Sequence, residues 1–262
     1  MMKVCLLASG SKGNCIVVSG SKHALIIDAG ISARKIRSQI IREGLSEERI
    51  SAILVTHEHS DHSKGVGALS RALRVPVFIN EGTLSRANGR LGNIQEICLF
   101  QNGYSFTLNE FLVSPFSVPH DCADGTCFVI SERYHQEKLV VLTDLGYVPP
   151  QVKEKAKGAT TLILESNHDL DRLINGPYEQ RLKERIRSNR GHLSNIQACE
   201  LIEEIIRQPA DDLKNIVLAH LSKENNEPEI AYREMKAILS RYGFSCNLYI
   251  AEQHNPTAWI EV

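Results

Sequence analysis

No apolar run in this 262-residue chain approaches the roughly 20 residues that a membrane-spanning helix needs, which argues against a helical membrane protein. An excess of one charge is missing too. The 30 Lys and Arg against 31 Asp and Glu leave a formal net charge of −1. No global field therefore draws the chain to nucleic acid or membrane, and any such contact must rest on a local patch. Internal repeats, low-complexity tracts and linkers are absent, so residues 1–262 read as a single domain. Met1-Met2-Lys3-Val4-Cys5 runs straight into a strand and lacks the pattern of a signal peptide. The seven cysteines are odd in number and scattered, which excludes a disulfide framework. Most of Cys5, Cys15, Cys98, Cys127, Cys199 and Cys246 sit in apolar surroundings. They read as reduced core residues of a cytoplasmic protein. Cys122 stands apart, two residues from His120.

What is present is an ordinary globular balance, 42% hydrophobic and 23% charged residues, enough for a sizeable core. The first half is rich in short apolar runs stopped by Gly, Ser, Asp or His, such as Val4–Leu7, Leu25–Ile27 and Ile53–Val55. Helical spacing over Ser32–Arg42 and Val66–Leu73 interrupts them. A strand meander follows, from Tyr104 to Thr143. The second half turns helical over Tyr178–Arg187, Ile196–Arg207 and Glu229–Leu239, with a capping box expected at Ser194 and Gln197. Two strand-rich halves with helices outside predict two sheets packed face to face and covered on both outer faces.

The strongest signal is Thr56-His57-Glu58-His59-Ser60-Asp61-His62, directly after the run Ile53–Val55. In an extended segment residues two apart point the same way, so His57 and His59 can grip one metal. Asp61 and His62 lie where the chain turns and can hold a second. One loop cannot close two sites. His120, Asp144 and His220 each follow an apolar strand, at the sheet edge where a site can form, and are the candidate remaining ligands. Asp28 also ends a strand and is expected to orient the histidine loop by accepting its hydrogen bonds. Imidazole suits zinc, and two aspartates tolerate manganese or iron.

Thr-His-x-His-x-Asp-His with an upstream strand-ending Asp and downstream His, Asp and His resembles the metallo-β-lactamase superfamily. The resemblance implies a four-layer αββα sandwich: two mixed sheets flanked by helices, with the metals at one edge. It also implies that His57, His59 and His120 bind a first metal and Asp61, His62 and His220 a second. Asp144 would bridge both. True β-lactamases of the superfamily use a Cys at the second metal, and no Cys ends a corresponding strand here. The chain looks more like the phosphodiesterases and thioesterases of the group. The flavodiiron branch is disfavoured, because it carries Glu where this chain has His59.

Glu165-Ser166-Asn167-His168 after a strand, and Gly191-His192 between two helices, resemble tRNase Z-type phosphodiesterases. That resemblance implies that Glu165 orients His192 and that His192 is the general acid. With Asp61 they are the candidate catalytic residues, and His168 stays open between the site and the surface. Arg181, Lys183, Arg185, Arg187 and Arg190 crowd the stretch before Gly191. They read either as a solvated helix face or as a phosphate-gripping rail in which Arg185, Arg187 and Arg190 touch substrate. In the Ser/Gly loop from Ala8 to Cys15, Ser11 and Asn14 are candidate anion contacts.

Leu-Ala-Ser-Gly-Ser-Lys-Gly-Asn-Cys at the start, with Gly-His-Leu-Ser-Asn and Leu-Ala-His-Leu-Ser later, is similar to the YycJ/WalJ-type exonucleases of bacteria. This implies 5′→3′ degradation of double-stranded DNA from a free end with two divalent metals, in mismatch repair. Two other readings compete. One is a small-molecule hydrolase, either a cyclic phosphodiesterase or a glyoxalase-type thioesterase. The other is a metal-binding regulatory protein without turnover, against which the complete ligand set and the added proton donor argue.

Overall fold

The computed structural model describes residues 1–87, 89–132, 137–208 and 212–262. The first half runs β1 (Lys3–Ala8), β2 (Cys15–Ser19), β3 (Ala24–Ile27), α1 (Ala33–Arg42), β4 (Ile50–Leu54), α2 (Ser60–Ser63), α3 (Val66–Leu73), β5 (Val77–Asn80), α4 (Glu81–Ala87) and β6 (Ile97–Phe100). The meander follows as β7 (Phe106–Leu108), β8 (Phe111–Ser117), β9 (Thr126–Glu132) and β10 (Lys138–Leu142). Then come α5 (Pro150–Ala156), β11 (Thr161–Glu165), α6 (Leu170–Asn175), α7 (Gln180–Arg187), α8 (Asn195–Ile206), β12 (Asn215–Ala219), α9 (Pro228–Arg241), β13 (Asn247–Ile250) and β14 (Ile260–Glu261).

Among the described residues the strands form two seven-stranded sheets, ordered β14-β1-β2-β3-β4-β5-β6 and β13-β12-β11-β10-β9-β8-β7. Both are mixed. Strands β3 to β6 are parallel, as are β10 to β13, and the meander β7 to β10 is antiparallel. The period-two alternation of each strand divides its side chains between two cores. In β1, Val4 and Leu6 face the core between the sheets, while Cys5 and Leu7 face the outer one. Phe111, Phe128, Ile163 and Val217 share the central core. Ile36 and Ile40 of α1 and Leu69 of α3 cover the first sheet. Val152 of α5, Leu201 and Ile202 of α8 and Met235 of α9 cover the second. This is the four-layer αββα sandwich that the sequence implies. Strands buried on both faces must be apolar throughout, which is why β3, β11 and β12 read as continuous runs.

The capping box forms as expected, with Ser194 Oγ accepting from Gln197 N and the Gln197 side chain accepting from Ser194 N. Three short helices, α4, α5 and α6, and the strand β6 were not legible. Each helix spans two turns or fewer and shows no sustained apolar stripe. In β6 only Phe100 is buried. The segment after β13 crosses from the second sheet to the first, where β14 pairs with β1. On the way Glu252 O accepts from Ser9 N, Gln253 clasps the loop after β1, and Thr257 bonds Leu6. No helix among the described residues is long and apolar enough to cross a membrane.

Candidate metal centre

In a parallel sheet the carboxyl ends of the strands face one edge. Here β1, β3, β4 and β5 of one sheet and β8, β10, β11 and β12 of the other end along the same edge of the sandwich. Every candidate ligand follows one of these strands. His57 to His62 follow β4, His120 follows β8, Asp144 follows β10 and His220 follows β12. Asp28, Asp144 and His220 have φ of 61°, 62° and 54°. A left-handed backbone costs a non-glycine residue about 1–3 kcal/mol. That three strand-ending site residues all adopt it means the packing around them overrides the local preference.

His59 is extended, φ −60° and ψ 144°, which lets His57 and His59 serve one side of the loop. The one-turn helix α2 then carries Asp61 and His62 round to the other. The donor atoms converge. His59 Nδ1 and His120 Nε2 lie 3.3 Å apart. His62 Nε2 is 3.2 Å from Asp144 Oδ2 and 3.6 Å from Asp61 Oδ2. His220 Nε2 is 3.8 Å from Asp61 Oδ2. Two donors bound tetrahedrally at about 2.0–2.1 Å from one ion sit about 3.3 Å apart, so these spacings fit divalent cations. His57 Nε2 is buried with no hydrogen-bond partner among the described residues, while Asp144 Oδ2 and His220 Nε2 face only other candidate ligands, His62 and Asp61. Uncompensated burial of such groups is costly, and a cation would relieve it. The residues group as His57, His59 and His120, as His57, His62 and Asp144, and as Asp61, His62 and His220. The edge is built to hold divalent metal.

The rings are fixed from behind. Asp28 accepts from Thr56 N at 2.8 Å, Thr56 Oγ1 at 2.7 Å and His62 Nδ1 at 2.6 Å. His120 Nδ1 donates to Gly191 O at 3.0 Å. Glu165 is fully buried, and its Oε1 accepts from both His192 Nδ1 at 2.9 Å and His220 Nδ1 at 2.8 Å. Its Oε2 accepts from the amides of Leu145 and Leu193 at 3.0 and 3.1 Å. The sequence expectation linked Glu165 to His192 alone; here it joins His192, His220 and the segment after Asp144. Burial would raise the Glu165 carboxyl, but the imidazoles of His192 and His220 hold it down at about 2. Burial likewise opposes charge on His220, yet Asp144, Asp61 and Glu165 raise it to about 10. His62 is raised well above its ordinary value against burial, by Asp144 and Asp28.

Other expectations need correction. Asn14 does not reach outward to an anion. It is buried; its Oδ1 accepts from Gly10 N, and its Nδ2 lies against Gly10 O and 2.9 Å from His62 Nε2. Ser11 is exposed on the same turn but does not line the cavity beside the metal centre. The loop is a brace. Asn14 N donates to Asp61 O, Gly30 N to Asn14 O and Ala29 N to His62 O. Arg187 is exposed and outside the cavity, whereas Arg185 and Arg190 line it. His168 is not on the surface: it is 1% exposed, and its neutral form is favoured, burial lowering it to about 4. The cavity, about 790 Å³, also includes Arg86, Arg90, Asp121 and Cys122, none of which had a motif to mark it.

The metallo-beta-lactamase superfamily model matches residues 8–191. Exodeoxyribonuclease YycJ of Bacillus anthracis is 37% identical over 91% of this chain and 89% of its own length. This chain belongs to the metallo-beta-lactamase superfamily and, within it, to the YycJ/WalJ family. Exodeoxyribonuclease WalJ of Streptococcus pneumoniae serotype 2 is also 37% identical, over 89% of this chain and 86% of that protein. Among solved structures, the metallo-beta-lactamase fold protein YhfI of Bacillus subtilis superposes with a TM-score of 0.73 at 16% identity. It covers 98% of both chains, a likeness of fold. The candidate metal ligands of this chain stand on the edge that the strand ends build.

Two expectations follow. A Cβ on Gly30 would lie 1.6 Å from Asp61 O and 2.5 Å from Asn14 N. Gly30→Ala must therefore push the histidine loop outward, and divalent-metal affinity should fall about 10–100-fold, as for other changes behind a metal site. Metal titration beside circular dichroism reads this, and unchanged affinity would mean the loop is not braced by Gly30. The second concerns protons. The surrounding carboxylates favour the protonated forms of His62 and His220 without metal, and a cation binding these nitrogens must displace such protons. Uptake should release protons, and affinity should rise with pH up to about 10. Calorimetry in buffers of different ionisation enthalpy measures the release; buffer-independent heat would contradict it.

Proposed function

We propose that this chain is a 5′→3′ exonuclease on double-stranded DNA that uses two divalent metal ions, zinc or manganese with iron as the alternative. His57, His59 and His120 would hold the first ion, Asp61, His62 and His220 the second, and Asp144 would bridge them. The observation that carries the reading is the pair of buried Glu165 and partly exposed His192, 2.9 Å apart, with His192 Nδ1 also 3.6 Å from Asp144 Oδ1. A site that only stores metal has no use for a proton donor held beside it. The names of the curated relatives, exodeoxyribonucleases YycJ and WalJ, support a DNA substrate. We take residues 1–262 as one functional domain, because both sheets share the core between them. Seven free cysteines suit a reducing cytoplasm.

Bound ions would supply Lewis-acid chemistry, activating water near neutral pH and neutralising phosphoryl charge. The remaining work falls to side chains. Asp61 lines the cavity, where its carboxylate can accept a hydrogen bond from the attacking water. Glu165 accepts a hydrogen bond from His192 Nδ1, which leaves Nε2 as the ring's other nitrogen for proton transfer. From Nε2, His192 would donate a proton to the leaving oxygen, with Glu165 holding the ring in place. Arg185 and Arg190, on the cavity wall, bind phosphate.

End-labelled linear duplex DNA incubated with the protein and several divalent metals tests the activity. Release of label from 5′ ends is expected. Cleavage of small diesters or thioesters alone would favour the small-molecule hydrolase.

The role of His192 has its own test. His192→Ala should retain metal and substrate affinity while lowering turnover of DNA about 10²–10⁴-fold. A diester with a p-nitrophenolate leaving group needs little protonation, so the variant should be far less impaired on it. Equal losses on both substrates would make His192 a positioning residue.

A further inference from the structure

The cavity opens on one flank of the metal centre. His59 and Asp61 line it, whereas His192 and His220 do not. Four arginines share its wall: Arg185 and Arg190 from the stretch around α7, and Arg86 and Arg90 from α4 and the turn after it. The first two are partly engaged. Arg185 Nε donates to Asp121 Oδ2 at 2.5 Å, and Arg190 donates to the carbonyls of His120 and Cys122. Arg86 and Arg90 are exposed, and neither side chain has a hydrogen bond or ion pair among the described residues.

Their helix is nonetheless fixed to the metal centre. Asn80 is 1% exposed and faces two ways. Its Oδ1 accepts from Thr83 N at 2.7 Å, which caps α4. Its Nδ2 donates to Asp124 O at 2.8 Å and Thr126 Oγ1 at 2.9 Å. Asp124 lies in the segment that follows His120 and Asp121. One buried amide thus ties the arginine-bearing helix to the loop that carries a candidate ligand. A solvated helix face would need no such anchor.

We infer that Arg86 and Arg90, with Arg185 and Arg190, form a phosphate subsite that grips a nucleic-acid strand on the His59 flank of the reacting phosphate. This rests on the nuclease reading above. Guanidinium is the group that matches phosphate oxygens by paired hydrogen bonds. The cavity has room for more than one phosphate, so the bound groups are either a terminal phosphate or successive backbone phosphates. The sequence marked only Arg185 and Arg190, because they sit in a dense basic run. Arg86 and Arg90 reach the same wall from the other sheet.

The test uses full-length wild type, R86A/R90A and R86K/R90K, with metal chelated so that nothing is cleaved. Binding of short 5′-phosphorylated and 5′-hydroxyl oligonucleotides is followed by fluorescence anisotropy over a salt series. R86A/R90A should bind at least about tenfold more weakly. Its slope of log affinity against log salt should fall by about 0.7 for each lost contact. R86K/R90K should keep most of the salt slope while losing part of the affinity, because charge remains and the paired geometry does not. Loss confined to the 5′-phosphorylated strand assigns the subsite to an end phosphate; equal loss assigns it to the backbone. Unchanged affinity and slope in R86A/R90A overturn the inference, as does a wild type that binds neither strand. Failure of the metal-loaded wild type to degrade duplex DNA counts against the nuclease reading alone.

Discussion

A carboxylate removed from water must be met by donors on every side or give up its charge. Glu165 meets this demand with four hydrogen bonds, two from imidazoles and two from backbone amides. The amides belong to Leu145 and Leu193, so the same carboxylate fixes the turn after Asp144 and the turn that holds His192. Remove the carboxylate and the two rings lose their common acceptor, while two amides are left buried without partners. The loss would spread through proton donor, ligand and bridging carboxylate at once. Asp28 plays the matching part in the other sheet, holding His62 and Thr56. Each sheet therefore contributes one buried anion that orders its half of the centre.

These anions also account for the strained backbone at the edge. Asp28, Asp144 and His220 can hold a left-handed conformation only because neighbouring contacts leave no alternative. Asp28 has three donors around it, and the His220 amide is held by Ser9 Oγ at 2.7 Å.

Much of this was legible in the sequence. The cluster from His57 to His62 states its chemistry through spacing alone, and the strand-ending positions of His120, Asp144 and His220 follow from apolar runs that stop abruptly. Two-sided burial made those runs conspicuous. What stayed hidden had a common physical cause: it depends on contacts between distant segments. Asn14 looked like an anion contact because its loop is rich in glycine. The glycines instead admit close backbone packing, with Gly13 and Gly30 too near their neighbours for any Cβ. His168 gave no periodic signal of burial. Arg86 lies in a short helix, and Arg90 in the turn after it, and the helix's cap, Asn80, precedes it as the last residue of a strand.

The crossing from β13 to β14 bears on how the molecule comes into being. Leu6 bonds Thr257 over a separation of 251 residues, and Gln253 clasps the loop after β1 from 241 residues away. That loop is what braces Asp61 and His62. During synthesis the first strands emerge long before their partners exist, and contacts of such range close slowly. The histidine loop cannot be held in its final geometry until residues past 250 have been made and have crossed the sandwich. The brace behind the metal centre is therefore among the last parts of the fold that the chain can complete.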